Sequence, residues 1–162
     1  MISVNEIRKT AREQGVPETT VERDYLQNRF LNELFLETEN LAFKGGTAIR
    51  KIHVRDYRFS DDLDFTLRSK MERAELAAVI EKSKDDAKNN AGIGFEDDFE
   101  LVEVANGWKA LLHCRSSMTS RISINIKLDI TEFNRERIFL PVEKRPMFHE
   151  VSDSCETKIV TY

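Results

Sequence analysis

Residues 121–130, RISINIKLDI, alternate between apolar and polar side chains without a break. A period of two suits a β-strand with one face buried and the other turned away from the core. Ile122, Ile124, Ile126, Leu128 and Ile130 share the apolar face, and Ser123, Asn125, Lys127 and Asp129 share the polar one. Such a strand needs partners along its edges and a cover for its apolar face. Partners are at hand: 99–105 (FELVEVA) and 108–115 (WKALLHCR) read as two strands joined by a tight turn at Asn106-Gly107. The segment DLDFTL, 62–67, alternates too, with Leu63, Phe65 and Leu67 inward and Asp62, Asp64 and Thr66 outward.

The cover comes from helices. Ser3 to Glu6, Thr19 to Glu22 and Ser69 to Glu72 each place a hydroxyl three residues before a glutamate, the spacing of a capping box. After the second, Val21, Tyr25, Leu26, Phe30, Leu34 and Phe35 recur at helical spacing and predict a long helix over 20–38 with one buried stripe. After the third, Ala74, Ala77, Val79 and Ile80 start a helix that should stop near Gly92. Helices mixed with hairpin-linked strands, without regular βαβ alternation, predict an α/β (α+β) domain: a mixed or largely antiparallel sheet with helices on one side. The acidic cluster FEDDFE, 95–100, reads as a solvated loop next to Gly92 and Gly94, the stretch EKRPMFHEVSDSCE after Pro141 reads as loop, and Lys158–Tyr162 reads as the beginning of a strand. A chain that stops where an element starts suggests a fragment.

At 162 residues the chain suits one domain able to bury a core without disulfide or metal. Its N-terminus lacks the apolar segment of a signal peptide, and no apolar run approaches a membrane span, so a cytoplasmic protein without a membrane partner is expected. Cys114 and Cys155 lie far apart, outside any CxxC pair, which disfavours a zinc site or a disulfide framework. The net charge of −4 argues against whole-surface binding to nucleic acid but leaves room for a local site. Between Lys44 and Arg58 the balance reverses: Lys44, Arg50, Lys51, Arg55 and Arg58 stand against one acid, Asp56.

That basic run lies inside FKGGTAIRKIHVRDYRFSDDLDFTL, 43–67. Gly45-Gly46 ends a short apolar run and precedes Thr47-Ala48-Ile49, where a helix can start. Glycines there permit a left-handed backbone and close approach, so successive amides can cradle an anion, although a plain turn explains an isolated pair as well. The spacing fits neither a Walker A loop nor GxGxxG. A DxD pair alone says little, since 11 aspartates in a chain of this length supply about 0.7 by chance. In a strand, however, Asp62 and Asp64 emerge side by side, and carboxylates held that close are suited to a divalent cation. The other reading is a charged outer face on an edge strand. If the strand carrying Asp129 neighbours 62–67, three carboxylates meet on one patch. The three histidines have no ligand-spaced partner; His53 lies in the basic run within reach of phosphate and His113 reads as structural. No GxSxG elbow is present.

Taken in order, K-G-G-T-A, R-x-S-x-D-x-D and a later K-x-D strand make the chain resemble the AbiEii/AbiGii toxin family of nucleotidyltransferases, a branch of the polymerase-β-like superfamily. The resemblance implies a nucleotidyltransferase core over 1–162. It implies that Lys44, Gly45, Gly46, Thr47, Arg58 and Ser60 bind nucleotide, and that Asp62, Asp64 and Asp129 serve as catalytic and metal-binding carboxylates for Mg²⁺ or Mn²⁺. It further implies transfer of a nucleoside monophosphate from an NTP to an acceptor such as tRNA or another RNA, in a toxin-antitoxin or phage-exclusion system with a cognate antitoxin protein. Members of the family continue into a helical region that carries a further lysine and aspartate. A chain without that region leaves a second expectation, a module that binds nucleotide, RNA or antitoxin without turnover, and a third, a phosphohydrolase using the same carboxylates.

Overall fold

A computed structural model of the protein describes residues 2–55, 57–119, 122–136, 141–148 and 158–161. The chain opens with helix α1 (Val4–Gln14), whose first turn is closed by the reciprocal Ser3 and Glu6 bonds of a capping box and whose end is a left-handed Gly15. Helix α2 (Glu18–Glu37) follows. Every member of its predicted apolar stripe is buried, with Phe30 and Leu34 fully so; each such side chain contributes about 1.5–3 kcal/mol relative to exposure.

Strand β1 (Leu41–Lys44) runs into the short helix α3 (Gly45–Ala48), which continues as a π-helical turn over Ile49–His53. After strand β2 (Asp62–Leu67) comes helix α4 (Arg73–Ala91), ended by a left-handed Gly92 as expected. Strands β3 (Phe95–Val104), β4 (Gly107–Arg115) and β5 (Ser123–Thr131) form a meander, and β6 (Glu143–Pro146) and β7 (Lys158–Thr161) complete the sheet.

The seven strands are ordered β3-β4-β5-β2-β1-β7-β6. β2 pairs β5 in parallel, β1 pairs β7 in parallel, and the remaining pairs are antiparallel. The expected mixed sheet is therefore present, with α2 packed against α1, α4, β5 and β7. Ile124, Ile126, Leu128 and Ile130 are all buried, as are Leu63, Phe65 and Leu67. Ile122 is 41% exposed and precedes the strand. No described helix is long and apolar enough to cross a membrane.

Several local expectations are corrected. The hydroxyl at Thr19 caps nothing: α2 starts at Glu18 after Pro17, and the buried Glu22 carboxylate instead accepts from Ser116 and Ser117 on the far side of the core. Likewise Ser69 is held by Asn40 Oδ1, and α4 begins after Glu72 without a side-chain cap. The β3–β4 turn sits one residue early, at Ala105-Asn106. Gly107 opens β4, paired with Thr131 of β5, and an added Cβ would lie 2.0 Å from the Ile130 carbonyl oxygen, which requires glycine there. Residues 95–98 are strand with outward acids, and 143–146 form β6 where a loop was expected. Both escape a periodicity test, since neither alternates: β6 is exposed at every position, held by main-chain bonds to β7. Residue 121, the stretch 149–157 with Cys155, and Tyr162 lie outside the described residues.

Candidate active site

The Asp62 and Asp64 strand is not an edge. β2 is the fourth of seven strands, flanked by β5 and β1, so its carboxylates cannot be explained as charges guarding an open edge. The parallel register places Asp62 beside Lys127 and Asp64 beside Asp129. On the other side Lys44 is opposite Asp64, and beyond β5 Lys109 is opposite Asp129. Four strands thus carry one row, Lys109, Asp129, Asp64, Lys44, on the face of the sheet opposite the buried alternate residues. Its sign pattern is plus, minus, minus, plus.

Asp64 feels that pattern most. Burial, followed by the charges of Asp129 and Asp62, pushes its carboxyl above the ordinary aspartate range, while Lys44 pulls the other way. Asp129 Oδ1 accepts from Lys109 Nζ at 3.0 Å, and the Asp129 carboxylate, through that bond and its charge, raises the Lys109 ammonium in turn. One Asp62 oxygen, Oδ1, is shielded from solvent without a hydrogen-bond donor among the described residues; the Lys127 ammonium stands 3.9 Å away. Asp61 turns aside, as its place in the alternation requires, and pairs with Arg23.

The glycine turn abuts these carboxylates. Gly45 is left-handed (φ +74°), and a Cβ there would lie 2.2 Å from Asp64 Oδ2. A Cβ at Gly46 would lie 3.4 Å from Ser60 Oγ, which brings Ser60 to the turn. Thr47 is buried, and its hydroxyl donates to the Asp62 carbonyl at 2.6 Å, tying α3 to the start of β2. Lys44 Nζ donates to Thr131 Oγ1 at 2.9 Å and to Glu136, whose Oε2 also accepts from Thr66 Oγ1 at 2.7 Å. Burial alone would raise the Glu136 carboxyl, but its bonds to Lys44 and Thr66 and the lysine's charge outweigh that and hold it low.

The basic run divides. Arg58 and Arg55 are exposed. Arg50 and Lys51 are 6% and 2% exposed and point into the protein. Lys51 Nζ donates to Asp24 Oδ1 and Asn28 Oδ1, each at 2.6 Å. Arg50 donates to the Tyr57 carbonyl and stacks on Phe59 at 3.6 Å. Two of the five cations thus serve the fold, not the open face. His113 Nδ1 bonds Asn125 Oδ1 at 2.9 Å, the structural role expected of it. His53 lies near Thr161 Oγ1, and burial followed by the Arg145 charge lowers its imidazole. Cys114 is free and buried, and burial pushes its thiol up, out of any ligand role.

Two site residues escape the sequence reading. Lys109 belongs to the row only through the β4–β5 register, which no local pattern specifies. Glu136 follows β5 in a turn without period. Among the described residues no group of three or more Asp, Glu, His or Cys is gathered tightly enough to hold a metal ion. Asp62, Asp64 and Asp129 share a face, with Asp129 drawn toward Lys109.

A mixed sheet that carries paired carboxylates on a central strand beside a left-handed glycine turn defines a nucleotidyltransferase core. The family model of the AbiEii nucleotidyl transferase toxin of type IV toxin-antitoxin systems matches residues 29–162. The chain belongs to that family. No curated protein matches it.

Proposed function

We propose that this face transfers a nucleoside monophosphate from an NTP to an RNA acceptor, tRNA being the first candidate, and that the protein is the toxin partner of a cognate antitoxin. The observation that carries the reading is the register of β1, β2 and β5, which sets Asp64 between Asp129 and Lys44 with Asp62 on the same face and Gly45 against it.

The donor set fits a hard divalent cation. Two carboxylates one strand pitch apart repel, Asp64 is held up by burial and then by the Asp129 and Asp62 charges, and Asp62 Oδ1 has no hydrogen-bond donor among the described residues. Asp62 and Asp64 would hold Mg²⁺ or Mn²⁺, with Asp129 joining once it leaves Lys109. When bound, the cation neutralises charge on the phosphates.

The residues themselves do the rest. Gly45 and Gly46 let the backbone of the turn approach the triphosphate, with Thr47 anchoring the turn to Asp62. Lys44, Arg58 and Ser60 supply donors to the phosphate oxygens. Asp129 takes the proton of the attacking hydroxyl as its oxygen bonds to the α-phosphorus and pyrophosphate departs. Positioning and preorganised charge supply the acceleration. Incubation of the protein with labelled NTPs and total tRNA should give labelled RNA and pyrophosphate, and Asp62→Ala with Asp64→Ala should abolish both. Equal labelling by that double variant would overturn the mechanism.

A second reading has one observation in its favour: Asp129 is engaged by Lys109 and not gathered with Asp62 and Asp64. In that reading the face binds nucleotide or antitoxin without turnover. Calorimetric NTP binding with no pyrophosphate released would single it out.

A further inference from the structure

The geometry points to a brace on α2, made of Arg23, Asp24, Gln27 and Asn28, that positions the glycine turn and the Asp62 strand relative to one another. All four lie before residue 29, where the family match begins. They form two pairs spaced four residues apart, so they stack on adjacent lines of one helix face.

One pair grips the segment entering β2. Gln27 Nε2 donates to the Asp61 carbonyl at 2.8 Å, and Arg23 pairs with the Asp61 carboxylate. The other pair grips the helical turn that follows the glycines: Lys51 Nζ donates to Asp24 Oδ1 and to Asn28 Oδ1. Because the Thr47 hydroxyl donates to the Asp62 carbonyl, the carbonyls of two successive residues, Asp61 and Asp62, are held by side chains from two different helices, α2 and α3. Asp62 thus leaves the sheet from a backbone fixed at both of its flanking peptides.

Gln27 is the informative member. It is fully buried, yet its Oε1 has no hydrogen-bond partner among the described residues. An amide buried with half its capacity unused is an expense to stability, which a purely structural position would avoid by carrying an apolar residue. The amide earns its place through its one bond, to Asp61. Gln27 is therefore a positioning residue for Asp62, and rests on the transfer reading only for the reaction it serves.

The test is Gln27→Met in the full chain, a substitution of similar volume that removes the unsatisfied oxygen and leaves the Asp61 carbonyl to water. Three quantities are measured: Mn²⁺ affinity by calorimetry, NTP-transfer kinetics, and amide hydrogen exchange. Loss of an outer-shell partner typically weakens metal binding 10–100-fold. The expected result is Mn²⁺ affinity down about tenfold, kcat down with KM for NTP unchanged, and faster exchange confined to Asp61–Leu63, at a Tm equal to or above that of wild type. Asn28→Leu, which acts on Lys51 and so on the glycine turn, should instead raise KM for NTP. Unchanged Mn²⁺ affinity and kcat in Gln27→Met overturn the proposal, and so does a fall in Tm with exchange accelerated throughout the sheet. If the wild-type protein transfers no nucleotide while the Mn²⁺ and exchange changes appear, the transfer reading fails and the brace stands.

Discussion

The place a side chain would take at Gly45 is already occupied by Asp64: an added Cβ would lie 2.2 Å from Oδ2 and 2.9 Å from Cγ. The left-handed backbone at φ +74° adds roughly 1–2 kcal/mol of strain for any L-residue. Gly45→Ala should therefore push the Asp64 carboxylate off the row, lowering Tm by several degrees and cutting transfer by about 10²-fold, the scale of a 1 Å misplacement. Gly46 makes the contrast. Its added Cβ would meet Ser60 Oγ at 3.4 Å, an ordinary contact, so Gly46→Ala should keep its Tm and lose NTP affinity only if the turn's backbone meets the phosphates. Thermal melts and KM values on the two variants separate the roles, and an unchanged KM in Gly46→Ala would remove that residue from the phosphate site.

Asp64 carries a stability cost with a definite pH dependence. Its folded-state carboxyl sits above the ordinary aspartate range because of burial and the Asp129 and Asp62 charges. A group raised in this way stabilises the fold while protonated; that contribution is complete below the unfolded value near 4 and is lost as pH rises through the folded value. Asp64→Asn should be inactive yet more stable than wild type at pH 7, with the gap closing as pH falls to about 4. Urea midpoints at the two pH values test this. A gap of the same size at both would mean that packing, not charge, sets the difference.

Much of this site was legible in the sequence, because it lies where the period is clean. The alternation of 62–67 and 123–131 fixes which side chains share a face, and the buried Leu63, Phe65, Ile126 and Leu128 leave Asp62, Asp64 and Asp129 no other side. Adjacency of the two strands was only a condition in the sequence; the parallel register met it. What local pattern cannot carry is register and long-range competition. Lys109 joins the row across β4 and β5, Gln27 reaches Asp61 from 34 residues away, and Glu22 abandons its cap for serines 94 and 95 residues on. The basic run shows the same limit: its sequence does not separate buried cations from exposed ones, and only the packing of α2 reveals that Asp24 and Asn28 hold Lys51.

That division of the basic run predicts opposite phenotypes. Lys51→Met removes a 2% exposed ammonium from Asp24; the carboxylate keeps Arg50 Nε at 3.9 Å. Breaking a buried pair from one side costs about 3–5 kcal/mol, with the remaining arginine placing this case at the lower end. Arg58→Gln, on an exposed side chain, should leave stability within about 0.5 kcal/mol and raise KM for NTP. Chemical denaturation and NTP kinetics on both variants give the readout. A Lys51→Met protein as stable as wild type would overturn the structural role given to Lys51.

The lysines at the ends of the row compete with any cation bound between them. Lys109 holds Asp129 Oδ1 at 3.0 Å, so a divalent ion that recruits Asp129 must first displace that ammonium. Mn²⁺ at 100 times its dissociation constant should stabilise the wild-type protein by about 2.7 kcal/mol, several degrees in Tm. Asp62→Asn should largely abolish the shift. Lys109→Gln should enlarge it at low ionic strength, because Asp129 is then released from its competitor. The gain from Lys109→Gln should shrink as salt is raised, since the Lys109 side chain is 60% exposed and its attraction is screened over about 10 Å at 0.1 M. Melts across a Mn²⁺ series at two salt concentrations distinguish the outcomes. If Lys109→Gln weakened the Mn²⁺ response instead, the lysine would be organising Asp129 for the ion and not withholding it.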